Sequence, residues 1–348
     1  MRAFKFFLMT ILALINVSVN AKAPEFTTNQ PNTKPHRIIR TCCAFGTEMQ
    51  MAAIPGVKLT DITCLNKIGA HHYLGDDSEE NGIIYTRRGG FIDMGHLRDQ
   101  IDWMAYIYIQ LKENKAKGHL SILLGHEGGE KNLNVQIPSS LKDIDLILLS
   151  GKIAYDLSVW HEIATWFGAS TIPFVPERYS SFSIEDAYSN LLGITIGIQA
   201  LLSELPYEEA VTQIIAETLK NMDAVSNEAE TYLAMEAVRN IWWTNEKRLP
   251  SSKVLLQRQV QVYPCLQPWL VPGWSSANPE PMELKIPEYA STGESLNSLY
   301  QLEFRLNFKF PFKKMFPDRK ERTITQNDFE RLLAEVGTEL NKKDRQFK

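Results

Sequence analysis

The hydrophobic pattern around which the rest of the chain is organised lies between residues 153 and 168. Small or apolar side chains recur there at helical spacing, at Ile153, Leu157, Trp160, Ala164 and Phe167. The segment contains no proline, and Gly168 occupies the position that glycine favours just after a helix C-terminus. The pattern therefore predicts a helix with one buried face, preceded by the apolar run 144–149. His161 lies beside that face, and Glu162 lies about 100° further round the helix.

A second helix is predicted after Asp93, which can cap its N-terminus. Its apolar stripe consists of Leu97, Ile101, Met104, Tyr108 and Leu111. A neighbouring row is formed by His96, Asp99 and Trp103. His96 would then lie in the first helical turn, directly after a strand, where the backbone is rigid and the terminus is open to a ligand.

A third helix is predicted to begin at Ser183, because Ser183 and Asp186 stand at the spacing of a capping box. One face of this helix carries, at successive spacings of four, three and four, Asp186, Asn190, Gly193 and Gly197. The two glycines allow a neighbouring helix to approach closely. We expect the helix that carries His161 to pack on that face, near the start of the helix that carries His96. The polar residues of the three helices would then form one site.

Alternation of apolar and polar residues predicts several strands. Two hairpins are predicted, from segments 83–86 with 91–92 and 119–124 with 132–137. His126 and Glu127 lie in the glycine-rich loop of the second hairpin, and they are interpreted as a turn tip instead of a ligand set. The alternation over residues 300–310 is the clearest strand pattern in the chain.

Further amphipathic segments predict helices at 206–222 and 226–243 and after Asp328. The predicted fold class is α+β, with a mainly helical core, short β-hairpins and a strand-containing C-terminal wrapping segment. We expect residues 22–280 to form the main helical domain with its small hairpins. The strand and helix of residues 281–348 are expected to pack on it.

The first residues carry the features of a cleavable export signal. Arg2 and Lys5 precede an apolar run from Phe6 to Val17, and a small-x-small ending follows. We therefore expect residues 1–21 to be removed and the mature protein to lie in the periplasm or outside the cell. The mature chain offers no second apolar run long enough for a membrane helix.

Charge narrows the range of partners. The formal net charge of the whole chain is −4, and removal of Arg2 and Lys5 makes it more negative. Since phosphate contacts need clustered Lys and Arg, a mildly acidic chain is not expected to bind nucleic acid. A cell-envelope component, or a small-molecule or peptide substrate, is the expected partner.

Four cysteines are present, at positions 42, 43, 64 and 265. An even number in an exported protein predicts disulfides, and adjacent cysteines seldom bond to each other. We expect Cys64 and Cys265 each to pair with one of Cys42 and Cys43. The alternative, a cysteine nucleophile at Cys42 or Cys43 that uses His161, would need a free thiol of low pKa.

The candidate site combines the polar residues of the three helices. The expected catalytic residues are His96, His161, Glu162, Glu185 and Asp186, and the expected substrate-binding residues are Asp99, Trp103 and Asn190. His96 and His161 are also the candidate ligands for a divalent metal such as zinc. The zinc-protease motif itself is absent, because Thr165 stands where the second histidine of that motif would be.

Four ordered segments resemble a family of secreted bacterial proteins of unknown function, the domain of unknown function numbered 4056. These are residues 40–46, residues 82–86 together with residues 90–99 and His96, residues 160–166 with His161, and residues 182–193. The resemblance covers roughly residues 37–270. It implies neither an activity nor catalytic residues, so it supports the choice of segments without adding chemistry.

The leading functional hypothesis is a hydrolase-like cell-envelope enzyme with a His/Glu/Asp site, with or without a metal. The fingerprints of common serine hydrolases, P-loop proteins and dinucleotide-binding proteins are absent from the sequence. The alternative is a non-enzymatic envelope protein that binds a ligand or partner. Its polar clusters would then form a buried network that fixes helix packing.

Overall fold

The structure is a computed structural model that describes residues 34–35, 39–40, 43–49, 59–170, 177–249, 251–274 and 280–345. Within these ranges, seven α-helices combine with three small antiparallel sheets, which confirms the predicted α+β class. The helices are α1 (Met94–Asn114), α2 (Asp143–Trp166), α3 (Asp186–Leu201), α4 (Tyr207–Asn221), α5 (Glu228–Ala237), α6 (Phe312–Met315) and α7 (Phe329–Arg345).

The strands form two hairpin-like pairs and one larger sheet. The first pair is β1 (Ile83–Thr86) with β2 (Gly90–Asp93). The larger sheet has the order β3 (His119–His126), β4 (Gly129–Gln136), β7 (Tyr300–Leu306) and β8 (Thr323–Thr325). The second pair is β5 (Cys265–Leu266) with β6 (Leu284–Lys285).

The ends of the two histidine-bearing helices follow from local chemistry. The Asp93 carboxylate accepts hydrogen bonds from the N–H groups of Gly95 and His96 at 2.7 and 3.1 Å, so the predicted cap of α1 is confirmed. At the end of α2, Gly168 has φ +97° and its N–H donates to the Thr165 carbonyl at 3.0 Å. That left-handed conformation is readily adopted by glycine and stops the helix.

Two helix boundaries differ from the prediction. The third helix begins at Asp186, because the Ser183 hydroxyl donates to Glu185 Oε2 at 2.6 Å and does not cap a helix. The helix predicted for residues 226–243 is shorter, since α5 ends at Ala237. Its N-cap is Asn227, whose side-chain oxygen accepts from the Glu230 N–H at 3.0 Å.

Helices α1, α2 and α3 pack against one another and form the core around the site. The glycine face of α3 meets α1. A Cβ atom on Gly193 would lie 2.2 Å from the Leu97 carbonyl oxygen, and one on Gly197 would lie 2.8 Å from Met104 Sδ. The expectation that this face receives the His161 helix is therefore wrong. The glycines instead allow α3 to approach the helix that carries His96.

The C-terminal strand and helix contact the rest of the chain through the sheet and through α2. Strand β7 pairs along β4, and its side chains alternate between buried and more exposed positions, as its sequence pattern predicts. The ring of Trp160 in α2 stacks on Phe304 of β7 at 4.2 Å between centroids. It also lies parallel to Phe329 of α7 at 6.1 Å.

The structure does not support the two predicted disulfides. Among the described cysteines, Cys43, Cys64 and Cys265 are not joined to one another, and Cys42 lies outside the described residues. Cys64 precedes β1 in the chain, whereas Cys265 begins β5.

Across the described residues, every helix is too short or too polar to cross a membrane.

Candidate functional site

Residues from α1, the β3–β4 hairpin, α2 and α3 meet around one small cavity. Its lining consists of His96, Asp99, Gln100, Trp103, Glu127, Lys131, Leu157, Ser158, His161 and Asn190. The cavity measures about 30 Å³, which is about the share of liquid volume that one water molecule takes. The ring centroids of His96 and His161 lie 6.4 Å apart. The two histidines singled out in the sequence therefore belong to one site.

His161 is held by a buried ion pair from the hairpin. Its Nδ1 lies 2.7 Å from Glu127 Oε1, and Glu127 Oε2 accepts from Lys131 Nζ at 2.8 Å. The side chains of Glu127 and Lys131 are 1% and 5% exposed, whereas that of His161 is 17% exposed. An ionised carboxylate can only accept, so Nδ1 carries a proton, and in the neutral form of the ring the lone pair lies on Nε2.

The hairpin reaches α2 because its turn packs directly on that helix. A Cβ atom on Gly128 would come within 3.4 Å of Ala164 and 3.5 Å of Trp160. The Trp160 indole N–H also donates to the Glu127 carbonyl oxygen at 3.1 Å. These contacts fix the turn on the helix, and so they bring the Glu127 carboxylate to His161.

His96 is held from α3. Its Nδ1 lies 3.2 Å from Asn190 Oδ1, and its Nε2 lies 3.5 Å from Asp186 Oδ1. The Asp93 cap fixes the first turn of α1, where His96 stands. Both ring nitrogens therefore face oxygen acceptors, an arrangement that suits a ring carrying a proton on each nitrogen.

Asp99 joins the cavity to a buried network around Arg40. Its carboxylate accepts from the Ile39 N–H at 3.1 Å and from Arg40 Nη1 at 3.0 Å. The same guanidinium binds Asp102 at 2.9 Å and Glu79 at 2.6 Å. Burial raises the pKa of Asp99 to about 6, although the charge of Arg40 opposes that rise. Ile39 and Arg40 thus support one wall of the site.

Trp103 and Asn190 both reach the cavity, but they differ in what they contact. The Lys131 ammonium lies over the Trp103 ring, 5.8 Å from its centroid, so the indole forms an apolar wall beside the ion pair. Asn190 directs its carbonyl oxygen at His96. Asn190 therefore orients a site histidine, whereas Trp103 shapes the cavity.

Three of the carboxylates singled out in the sequence lie outside the cavity lining: Asp186 contacts His96, whereas Glu162 and Glu185 contact other groups. Glu162 Oε2 accepts from the Phe182 N–H at 2.5 Å, so this carboxylate holds the loop before α3. Glu185 accepts from the Ser183 hydroxyl. Burial raises the pKa of Glu185 to about 8, and the nearby Asp93 carboxylate also raises it. Glu162 and Glu185 therefore support the fold next to the site and do not line it.

Sequence analysis missed the carboxylate that contacts His161. Glu127 was interpreted as a turn tip, yet it is buried, and Lys131, four residues later, is its partner. A charged pair at this spacing flanking a glycine turn was the available signal, but the partners of a hairpin tip depend on what it packs against. Gln100 and Ser158 are further lining residues that sequence analysis did not single out.

The residues present do not fit a metal centre. Among the described residues, no three His, Cys, Asp or Glu side chains are arranged to hold a metal ion. The Nδ1 atom of His161 is bound by Glu127, and both nitrogens of His96 face Asn190 and Asp186. Around His96 and His161, the described residues therefore do not supply the three ligands that a catalytic zinc needs.

The sequence profile of one family, described as a protein of unknown function (DUF4056), matches residues 30–272. The chain belongs to the DUF4056 family. All the residues that line the cavity fall inside the DUF4056 match, whereas β7, β8 and α7 lie beyond it. No curated protein and no solved structure is detectably similar to this chain.

Proposed function

We propose that this protein is a hydrolase-like enzyme of the cell envelope that uses general acid and base catalysis. The observation that carries the proposal is the 2.7 Å contact between Glu127 Oε1 and His161 Nδ1 beside a cavity shared with His96. A base oriented by a third group is the arrangement that activates a nucleophile in many hydrolases. The signal-like start of the chain supports the envelope location.

Each histidine has a distinct role in this proposal. His161 Nε2 takes a proton from a water molecule while the water oxygen attacks the electrophilic carbon of the substrate. His96 donates its Nε2 proton to the leaving group, because the contact of Nε2 with Asp186 Oδ1 is the longer of its two contacts, at 3.5 Å. This transfer completes the hydrolysis without a net change in protons. Positioned acid or base groups of this kind typically contribute about 10²–10⁴-fold to the rate.

Water is a better nucleophile here than the serine that lines the cavity. The Ser158 hydroxyl donates its proton to the Tyr155 carbonyl at 2.7 Å. A nucleophilic serine would instead donate to the base. The cavity volume of about 30 Å³ matches one water molecule. A substrate of the expected cell-wall, lipid or peptide type would have to enter through the exposed edge of His161.

The small cavity volume also favours a second candidate function. A cavity of about 30 Å³ is far below the roughly 300–1,000 Å³ of ordinary ligand sites. In this alternative the protein is a non-enzymatic envelope protein, and the His96 and His161 clusters are a buried network that fixes the packing of α1, α2 and α3. The two candidates differ in what the loss of a site histidine should do.

The test compares His161→Ala and His96→Ala with His119→Ala, a change at an exposed histidine on β3. The native protein and the variants are assayed on chromogenic esters, amides, phosphoesters and glycosides. If the site is catalytic, the first two changes should lower turnover by about 10²-fold or more and leave the melting temperature within a few degrees. His119→Ala should match the native rate.

The packing-network alternative predicts a different result for the same variants. If the native protein hydrolyses none of these substrates and both site variants lower the free energy of unfolding by about 2–4 kcal/mol, the packing network is the better explanation. Turnover that survives both site changes would place the chemistry elsewhere and refute the proposal.

A further inference from the structure

A second, much larger cleft lies on the other side of α2. It measures about 530 Å³ and opens between α2, residues 260–264 and the start of α7. Its lining includes Lys152, Asp156, Gln261, Tyr263, Asn327 and Glu330. This volume falls in the ordinary range for small-molecule sites. The cleft shares no lining residue with the His96 cavity.

The floor of the cleft is a satisfied polar cluster centred on Asp156. This carboxylate is buried and accepts from Lys152 Nζ at 2.6 and 2.7 Å and from the Tyr263 hydroxyl at 2.7 Å. The Tyr300 hydroxyl donates to it as well. Because the charges of Lys152 and Asp156 cancel, the floor is polar and rigid but electrically neutral.

The rim is rich in carboxamide side chains. Asn297 Nδ2 donates to Asn327 Oδ1 at 3.0 Å, and Gln326 is anchored to the β7 backbone through both ends of its amide. Gln261 and Asn327 are exposed. An amide both donates and accepts hydrogen bonds, so it pairs best with groups that do the same. Ligand hydroxyl groups have that property.

Charge and wall geometry narrow the ligand class. Apart from the Lys152 and Asp156 pair, Glu330 is the charged residue among the described lining residues, so the cleft does not favour an anion. The walls include the 3₁₀ turns Leu296–Ser298 and Gln326–Asp328 and the start of α7. An extended peptide usually adds to a strand edge, and these walls do not provide one. Val260, Tyr263 and Leu333 are half-buried. They provide an apolar surface on which the C–H face of a ligand ring can pack.

We propose that this cleft binds a neutral saccharide, either free or as a unit of a glycan. The exposed amides of Gln261 and Asn327 hydrogen-bond the hydroxyl groups, and the apolar wall contacts the sugar ring. The site is formed jointly by α2 and by the segment after residue 280, so the C-terminal region supplies part of it. This inference is independent of the hydrolase proposal, because it uses a different face of α2.

The experiment is calorimetric titration of the full mature chain with cellobiose and N,N′-diacetylchitobiose. Digalacturonic acid serves as the anionic probe and tetraalanine as the peptide probe. A neutral disaccharide should bind, and Asn327→Ala and Gln261→Ala should each weaken that binding about threefold to tenfold, the net value of one hydrogen bond. Gln199→Ala, at an exposed amide on α3, is the matched control and should bind as the native chain does.

Two further measurements complete the test: retention on an insoluble glycan and disaccharide binding by a site variant. Retention of the protein on insoluble cellulose or chitin, together with disaccharide binding, indicates a glycan unit, whereas disaccharide binding alone indicates a free sugar. His161→Ala should bind the disaccharide normally, which separates this result from the hydrolase proposal. Absence of disaccharide binding at millimolar concentration, tighter binding of the acid or the peptide, or native affinity in both cleft variants would overturn the proposal.

Discussion

Glu127 and His161 are 34 residues apart in the chain, yet Glu127 Oε1 lies 2.7 Å from His161 Nδ1. The contact joins the turn of a β-hairpin to the last part of a long buried helix. It places a charge that is almost fully buried next to a partly exposed imidazole. Lys131 balances that charge from the strand that follows the turn.

The first prediction concerns the coupling of Glu127 and Lys131. Glu127→Gln should lower the free energy of unfolding by about 1–3 kcal/mol, because the Lys131 ammonium stays buried without its counter-charge. Adding Lys131→Met should recover part of that loss, giving a coupling energy of about 1–3 kcal/mol in a double-mutant cycle measured by urea unfolding. Glu130→Gln, at the less buried neighbour on β4, should change stability by under about 1 kcal/mol.

Simple additivity of the two changes would contradict this prediction. It would mean that the ammonium and the carboxylate contribute separately, and that the 2.8 Å contact between them is energetically neutral.

The second prediction concerns pH and Glu185. Burial raises the pKa of Glu185 from 4.5 to about 8, so the folded state holds the proton more tightly than the unfolded state. Its contribution to stability is therefore full below pH 4.5 and is lost as the pH rises through about 8. Glu185→Gln mimics the protonated acid. The variant should be similar to the native protein at pH 5 and more stable at pH 9, by about 2–5 kcal/mol.

Denaturation curves at several pH values measure this difference. Glu288→Gln, at an exposed glutamate, should show no comparable gain at high pH. A stability difference between Glu185→Gln and the native chain that stays constant from pH 5 to 9 would rule out a proton held at Glu185.

The third prediction contrasts a buried arginine with an exposed one. Arg40 is paired with Glu79, Asp99 and Asp102, and its side chain is 3% exposed. Arg40→Gln should lower the free energy of unfolding by about 3–5 kcal/mol, because the buried Asp99 and Asp102 lose the guanidinium that pairs with them. Glu79 retains Arg98 as a cation partner. Arg305→Gln should cost under about 1 kcal/mol, since Arg305 is 65% exposed.

Urea unfolding at neutral pH gives both values. Equal costs for the two arginine changes would show that burial of the Arg40 network does not raise its energetic importance.

The fourth prediction concerns the close approach of α1 and α3. A Cβ atom on Gly193 would lie 2.2 Å from the Leu97 carbonyl oxygen, so Gly193→Ala should force the helices apart. We expect a loss of about 2–4 kcal/mol in stability and a displaced His96. Gly337 lies in α7, and a Cβ atom added there would meet no atom within 4 Å beyond its two chain neighbours and the helix backbone. Gly337→Ala should therefore stabilise the protein by about 0.5–1 kcal/mol.

Thermal unfolding of both variants checks this pair. A Gly193→Ala protein as stable as the native chain would mean that α1 and α3 can separate at little cost, and that the glycine is not needed for their packing.

The local pattern of the sequence determined which segments became helices and strands. Side-chain spacing in a helix or strand is set by the backbone itself, so the stripe in α1, the stop at Gly168 and the alternation in β7 could be predicted without tertiary information. The same local chemistry identified Asp93 as a cap. Where two local hydrogen bonds compete, as at Ser183, the sequence alone did not decide between a cap and the observed bond to Glu185.

Tertiary structure alone decided which faces meet and which polar groups become partners. The Gly193 face permits close approach to any helix, and packing volume assigned it to α1 instead of α2. Glu127 became a site residue because its turn packs on Trp160, a contact between distant segments that no local pattern encodes. Burial also decided the partners of Glu127, because a carboxylate removed from water is costly unless a cation or a hydrogen-bond donor contacts it. In this fold those partners are Lys131 and His161.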